Sequence, residues 1–155
     1  MINLDELKSF LVKAKKATYA SGDESVKIIN DDKSTTLIFE DGDWKYHDNY
    51  FGGEPYGGRE VAFFQGRPVY IMAYYGWVDE KAENVKEIYS VLQKALTLIP
   101  EDKPYRGPKE LNEGNYSYSN DFQGEIDNFS GEEIIKLDGQ EVYRAKYIGG
   151  LVDQR

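Results

Sequence analysis

The chain has 155 residues, with 28 Asp or Glu against 19 Lys or Arg, and its net charge of −9 disfavours wrapping a phosphate backbone. No Cys and a single His, His47, exclude disulfides, thiolate nucleophiles, Cys-ligated zinc and any site built on two imidazoles. What remains is one domain over residues 1–155, with 40% hydrophobic residues to form its core and few familiar catalytic constellations.

The opening Met1-Ile2-Asn3-Leu4-Asp5-Glu6 has no basic stretch leading into an apolar run, and nowhere is there the run of about 18 apolar residues that a membrane span requires. The expectation is a soluble, cytoplasmic protein with no membrane partner, in which the sequons Asn115-Tyr116-Ser117 and Asn128-Phe129-Ser130 carry no glycan. Leu4, Leu7, Leu11 and Ala14, with Phe10 beside them, predict an amphipathic helix over 4–17. Asn3 with Glu6 reads as a capping box and Ile2 with Leu7 as a staple, while Lys13, Lys15 and Lys16 suit the negative end of the helix dipole. A polar connection from Ser21 to Ser34 follows, with a weak strand around Val26 to Ile29.

Asp41-Gly42 predicts a hairpin between strands Thr36 to Glu40 and Asp43 to Tyr50. Gln65-Gly66-Arg67-Pro68 predicts a second, between Arg59 to Phe64 and Val69 to Tyr75. Asp79 is placed to cap a second helix whose Val85, Ile88, Tyr89, Leu92, Ala95, Leu96 and Ile99 form a broad apolar stripe ended by Pro100. Beyond a loop from Glu101 to Asn115, strands are expected at Tyr116 to Ser119, Gly124 to Phe129, Glu132 to Leu137 and Gln140 to Ile148, the last two joined by Asp138-Gly139.

The second half echoes the first. Aligning 58–78 with 131–151 gives Gly58/Gly131, Glu60/Glu133, Gly66/Gly139, Val69/Val142, Tyr70/Tyr143, Tyr74/Tyr147 and Gly76/Gly149, seven identities in 21 positions. Upstream, Asp48-Asn49-Tyr50 matches Asp127-Asn128-Phe129 if the six residues 53–58 are an insertion. The fold class expected is therefore α+β: a unit of one helix and four antiparallel strands present twice, over about 1–78 and 79–155, with helices packed on the sheet and pseudo-twofold symmetry. Tyr70, Met72 and Tyr74 share an inward face with Tyr143, Ala145 and Tyr147. Val69, Ile71, Ala73 and Tyr75 make the other face apolar too, which predicts a strand covered on both sides by a helix, a dimer partner or a ligand.

Chemistry concentrates between Tyr46 and Glu60, where glycines, aromatics and acids alternate in a predicted loop. One reading is a glycine-hinged flap in which Tyr50, Phe51 and Tyr56 form a lid and Asp48, Glu54 or Arg59 anchor it; the other is a wide hairpin closing one end of the core. His47 and Asp48 are adjacent in a strand and face opposite sides, so they cannot form a dyad directly. Paired acids among Asp48, Glu54 and Glu60 would suit a carboxylate-based hydrolase if they converged across a cleft, although 28 acids make such pairs common by chance. Arg106, in Tyr105-Arg106-Gly107-Pro108, suits a bidentate clamp on an anion or an ordinary surface ion pair. No phosphate-cradling loop, serine elbow, dinucleotide fingerprint or calcium loop is present, and the expectation is no cofactor and no metal.

Through Tyr19-Ala20-Ser21-Gly22, Tyr50-Phe51-Gly52-Gly53-Glu54, Met72-Ala73-Tyr74-Tyr75-Gly76, Tyr105-Arg106-Gly107-Pro108 and Phe129-Ser130-Gly131-Glu132, the chain resembles a bacterial family of domains of unknown function. Its members stand alone or follow a helix-turn-helix domain in transcriptional regulators. The resemblance carries no activity; it implies a sensing or partner-binding half of a regulator, here without a DNA-binding half. The sequence reading is thus a small-molecule-binding or sensory domain, more a binding protein than an enzyme, with Asp48, Tyr50, Phe51, Glu54, Tyr74, Tyr75, Trp77 and Arg106 around the ligand. The alternatives are a protein-protein interaction module, either a homodimer or an acidic mimic of nucleic acid, and the hydrolase.

Overall fold

Asn3 starts the first helix, α1 (Leu4–Ala17), by accepting hydrogen bonds from the backbone N of Asp5 at 2.9 Å and of Glu6 at 3.2 Å. The computed structural model describes residues 2–18 and 27–155, so Tyr19-Ala20-Ser21-Gly22 and the first part of the polar connection lie outside the described residues. Five strands follow α1: β1 (Lys27–Ile29), β2 (Thr35–Asp41), β3 (Trp44–Gly52), β4 (Tyr56–Phe64) and β5 (Arg67–Val78). After α2 (Val85–Thr97) come β6 (Glu110–Glu113), β7 (Tyr116–Glu125), β8 (Asn128–Leu137) and β9 (Gln140–Leu151). The nine strands of the described residues form one antiparallel sheet in the order β1-β2-β3-β4-β5-β9-β8-β7-β6.

Four boundaries differ from expectation. The segment 46–60 is not a flap but ladder, because Tyr50 pairs with Gly58, Phe51 with Gly57 and Gly52 with Tyr56, leaving a turn of only Gly53-Glu54-Pro55. Gly58 permits that approach: a Cβ there would sit 2.5 Å from the Asn49 carbonyl and 2.6 Å from the Tyr50 Cβ. Asp79 does not cap α2; its N donates to the Val142 carbonyl at 2.8 Å, its carboxylate accepts from Lys81 N, and Asn84 stands at the helix start instead. The loop before Asn115 contains β6, and the predicted breaks around 120–123 and 130–131 are absent, because the reversal falls at Ile126-Asp127 without a glycine. Asp48 accordingly sits within β3 while Asp127 sits in a turn, so the upstream match of Asp48-Asn49-Tyr50 with Asp127-Asn128-Phe129 is not followed by the sheet.

Tyr70, Met72 and Tyr74 of β5 pack in one core with Leu7, Phe10 and Leu11 of α1, and Val78 packs in a second with Ile88, Leu92 and Leu96 of α2. Residues two apart in a strand share a face, so both helices lie over the same side of the sheet. At the centre, β5 and β9 pair from Tyr70↔Leu151 through Tyr74↔Tyr147 to Val78↔Tyr143. Of the covers expected for the opposite face of β5, no helix of the described residues supplies one: Tyr75 is 53% exposed and Ile148 of β9, beside it, 63%.

Candidate functional site

The helix-covered face carries charge in its interior. Lys15 lies on the apolar side of α1, one turn after Leu11, and is fully buried rather than solvated at the helix end. Its Nζ donates to the carbonyls of Pro104 at 2.7 Å and Tyr105 at 2.8 Å and pairs with Glu60 Oε1 at 3.0 Å. Burial holds its pKa below the usual lysine value, against the raising pull of Glu60.

Across the sheet centre, Arg106 pairs through Nε with Glu133 Oε1 at 2.7 Å, and its Nη2 donates to the Tyr56 hydroxyl at 3.0 Å. Tyr118 donates to the other oxygen of Glu133. Gly107 fixes this segment, its N donating to Tyr118 Oη at 3.1 Å and its carbonyl accepting from Asn120 at 2.9 Å; a Cβ there would lie 2.5 Å from the Tyr118 hydroxyl.

Two hydroxyls at the middle of the sheet have matched partners. Tyr74 donates to Asp48 Oδ1, and Tyr147 donates to Asn120 Oδ1 at 2.6 Å. Asp48 is 3% exposed, and burial, reinforced by the nearby negative charge of Glu60, raises its pKa from 3.8 to about 8. Burial thus favours the protonated form of this carboxyl group.

Above Asp48 and Tyr74 opens a cavity of about 410 Å³ between the end of α1 and α2, lined also by Leu37, Tyr50, Tyr56, Tyr89, Leu92, Leu96 and Arg106. Tyr56 lies between Tyr74 and Tyr89, with ring centroids 5.8 Å and 6.1 Å away, and the Arg106 guanidinium carbon is 5.4 Å from the Tyr74 ring centre. Of the residues expected around a ligand, Asp48, Tyr50, Tyr74 and Arg106 line this cavity.

The others do not. Glu54 is spent on structure: its carboxylate accepts from Val78 N at 2.8 and 2.9 Å and from Tyr89 Oη at 3.0 Å, tying the β3–β4 turn to β5 and α2. Phe51 is half exposed beside that turn. Tyr75 and Trp77 alternate with the inward Tyr74 and Val78, so they face the opposite side of the sheet, 5.7 Å apart. His47, one residue from Asp48, packs edge-on against Phe63 instead of reaching the cavity. Of the acids weighed for a hydrolase pair, Asp48 alone lines the cavity: Glu60, its neighbour across the ladder, is buried against Lys15, and Glu54 holds the turn.

Tyr89, Lys15 and Glu133 belong to the site and were not among the expected residues; Tyr56, expected in the lid of a flap, reaches the cavity from the start of β4. Lys15 falls on the apolar stripe of its helix, and Glu133 shares its inward phase with Glu60; a charge repeated on a buried face is the signal that would have found both. Among the described residues, no group of three or more His, Asp or Glu side chains is placed to hold a metal, and no helix is long and apolar enough to cross a membrane.

Two helices on one face of a wholly antiparallel sheet make this an α+β protein. Residues 48–152 match the family described as Domain of unknown function (DUF5680), and the chain belongs to that family. No curated protein and no solved structure matches the chain.

Proposed function

We propose that this chain is a small-molecule-binding domain whose ligand occupies the cavity between α1 and α2. The observation that carries the reading is the convergence of four tyrosines, an apolar wall from Leu37, Leu92 and Leu96, and the buried Asp48 on one space of about 410 Å³. That size and that mixture of apolar wall with a few fixed polar groups suit a small organic ligand. The resemblance to domains that follow helix-turn-helix units supports a regulatory, sensory use of such binding. The β5–β9 register, which repeats itself about Tyr74 and Tyr147, supports descent of the two halves from one duplicated unit, with the cavity near their junction.

Native mass spectrometry on protein purified gently from its own host tests the binding reading. A retained small molecule is expected, and Gln93→Trp, which projects an indole from α2 into the cavity, is expected to remove it while leaving the unfolding transition in place. A bare mass, together with no rise in Tm from any member of a broad fragment collection, would defeat the reading.

A second reading rests on the open sheet face, where Tyr75 and Ile148 are the most exposed large hydrophobic side chains of β5 and β9. Such a patch suits an interface with a second copy of the chain. Sedimentation velocity is expected to show a dimer that Tyr75→Glu converts to monomer; a wild type that stays monomeric at every concentration would rule this face out as the contact.

A further inference from the structure

Inside the described part of the protein, three acids are buried, Asp48, Glu60 and Glu133, against two cations, Lys15 and Arg106. Lys15 pairs with Glu60 and Arg106 with Glu133, which leaves Asp48 as the acid in excess. It is also the acid that lines the cavity. Tyr74 engages Oδ1, and no further hydrogen bond to this carboxyl group is made among the described residues.

The walls around Asp48 are aromatic. Tyr50, Tyr56, Tyr74 and Tyr89 all border the same space, and the Tyr56 ring stands within 6.1 Å of both Tyr74 and Tyr89. Rings grouped about a point attract a cation through their negative faces, and a carboxylate beside them supplies the counter-charge. Lys27 also borders the cavity, but it is exposed at the rim, and the Arg106 charge is already answered by Glu133.

We propose that the cavity selects a small organic ammonium ion, a methylated or otherwise alkylated amine, whose positive charge sits among the tyrosine rings and is neutralised by Asp48. This rests on the binding reading above and narrows it to a ligand class. An anionic ligand would find both buried cations already paired and only a neutral carboxyl group beside it; a neutral one would leave the tyrosine rings and the displaceable proton of Asp48 without use.

Binding then exchanges one positive charge for another. The ammonium enters, Asp48 gives its proton to solvent, and the buried charge balances again. The groups that face Asp48 are Glu60 from β4, Tyr74 from β5, Lys15 from α1 and Arg106 from the segment after α2. The first raises its proton affinity, the two cations lower it, and burial exceeds them all, setting the value near 8. Affinity for an ammonium ion is therefore expected to rise about tenfold per pH unit up to about 8 and to level off above it.

The test is titration calorimetry and thermal shift of the full chain with tetramethylammonium and with choline, against choline's uncharged carbon isostere, dimethylbutanol, at about pH 6 and about pH 9. The expected result is saturable binding of the cations, much tighter at the higher pH, at least tenfold tighter than the isostere and lost in Asp48→Asn. Equal binding of the isostere, or unchanged binding in Asp48→Asn, overturns the assignment. A different molecule, neutral or anionic, retained from the host and displaced by Gln93→Trp would overturn the ammonium class while leaving the cavity as a binding site. Absence of both the cations and any retained molecule would remove the two readings together.

Discussion

Replacing Arg106 with methionine is expected to destabilise the protein by about 3 to 5 kcal/mol, read as a lower urea midpoint with an unchanged slope. The methionine keeps an unbranched stem near the Tyr74 ring but leaves Glu133, fully buried, without its cation. Losing one partner costs more than the pair is worth, because the remaining charge keeps its desolvation penalty and loses what offset it. The Tyr118 hydroxyl still donates to Glu133, but a neutral hydroxyl does not balance a charge. Adding Glu133→Gln to the methionine variant is expected to recover a good part of the loss, since the amide accepts from Tyr118 and carries no charge. A loss below about 1 kcal/mol would mean that the pair behaves as an exposed one.

Asp48→Asn is expected to act in the opposite direction. In the unfolded chain the carboxyl ionises near its ordinary 3.8, whereas in the fold it holds its proton up to about 8. Between those values the folded protein binds a proton that the unfolded chain has released. The contribution of this group to stability is thus complete below about 3.8, drains as pH rises, and is gone once pH passes about 8. Asparagine has no proton to lose, so the variant's advantage is least in acid, grows through neutrality and levels off above about 8. Between acid and the plateau the variant's relative stability is expected to climb by several kcal/mol, read from thermal unfolding across a pH series.

The fold itself shows that an amide fits the position. On β7, Asn120 accepts from Tyr147 at 2.6 Å, and it pairs across the ladder with Glu133 as Asp48 pairs with Glu60. A stability gain that did not grow with pH would show that Asp48 is ionised in the folded protein. Together with the binding experiment, this variant would display a trade in which the native acid lowers stability and serves recognition.

The helices and hairpin strands were legible because their signals are local. Leu4, Leu7 and Leu11 mark the face of α1, and Asp41-Gly42 and Asp138-Gly139 mark two of the turns. The turn at Ile126-Asp127 was missed because its residues carry no such signal, and the glycines of 52–58 suggested a loop where they let strands approach. Half of the expected site residues reached the cavity, and the alternation of strands explains which. Tyr74 entered and Tyr75 did not because one position in a strand changes the face. Tyr89 and Lys15 were hidden for another reason: which charge and which aromatic on a helix meet a given strand is decided by packing between distant segments.

The strand order has a consequence for how the chain finds this structure. Every neighbouring pair of strands is consecutive along the chain except β5 with β9, whose partners Tyr74 and Tyr147 are joined through α2 and three further strands. Hairpins close quickly because their loops are short, and the entropy of closing a long one must be met before its contacts reward it. Folding of this sheet therefore reduces to two meanders that assemble from local contacts and one distant meeting that joins them. By that argument the meeting is the slow step, and it is the same event that brings Arg106, held by Glu133 of β8, to Asp48, Tyr56 and Tyr74, which the first meander already gathers.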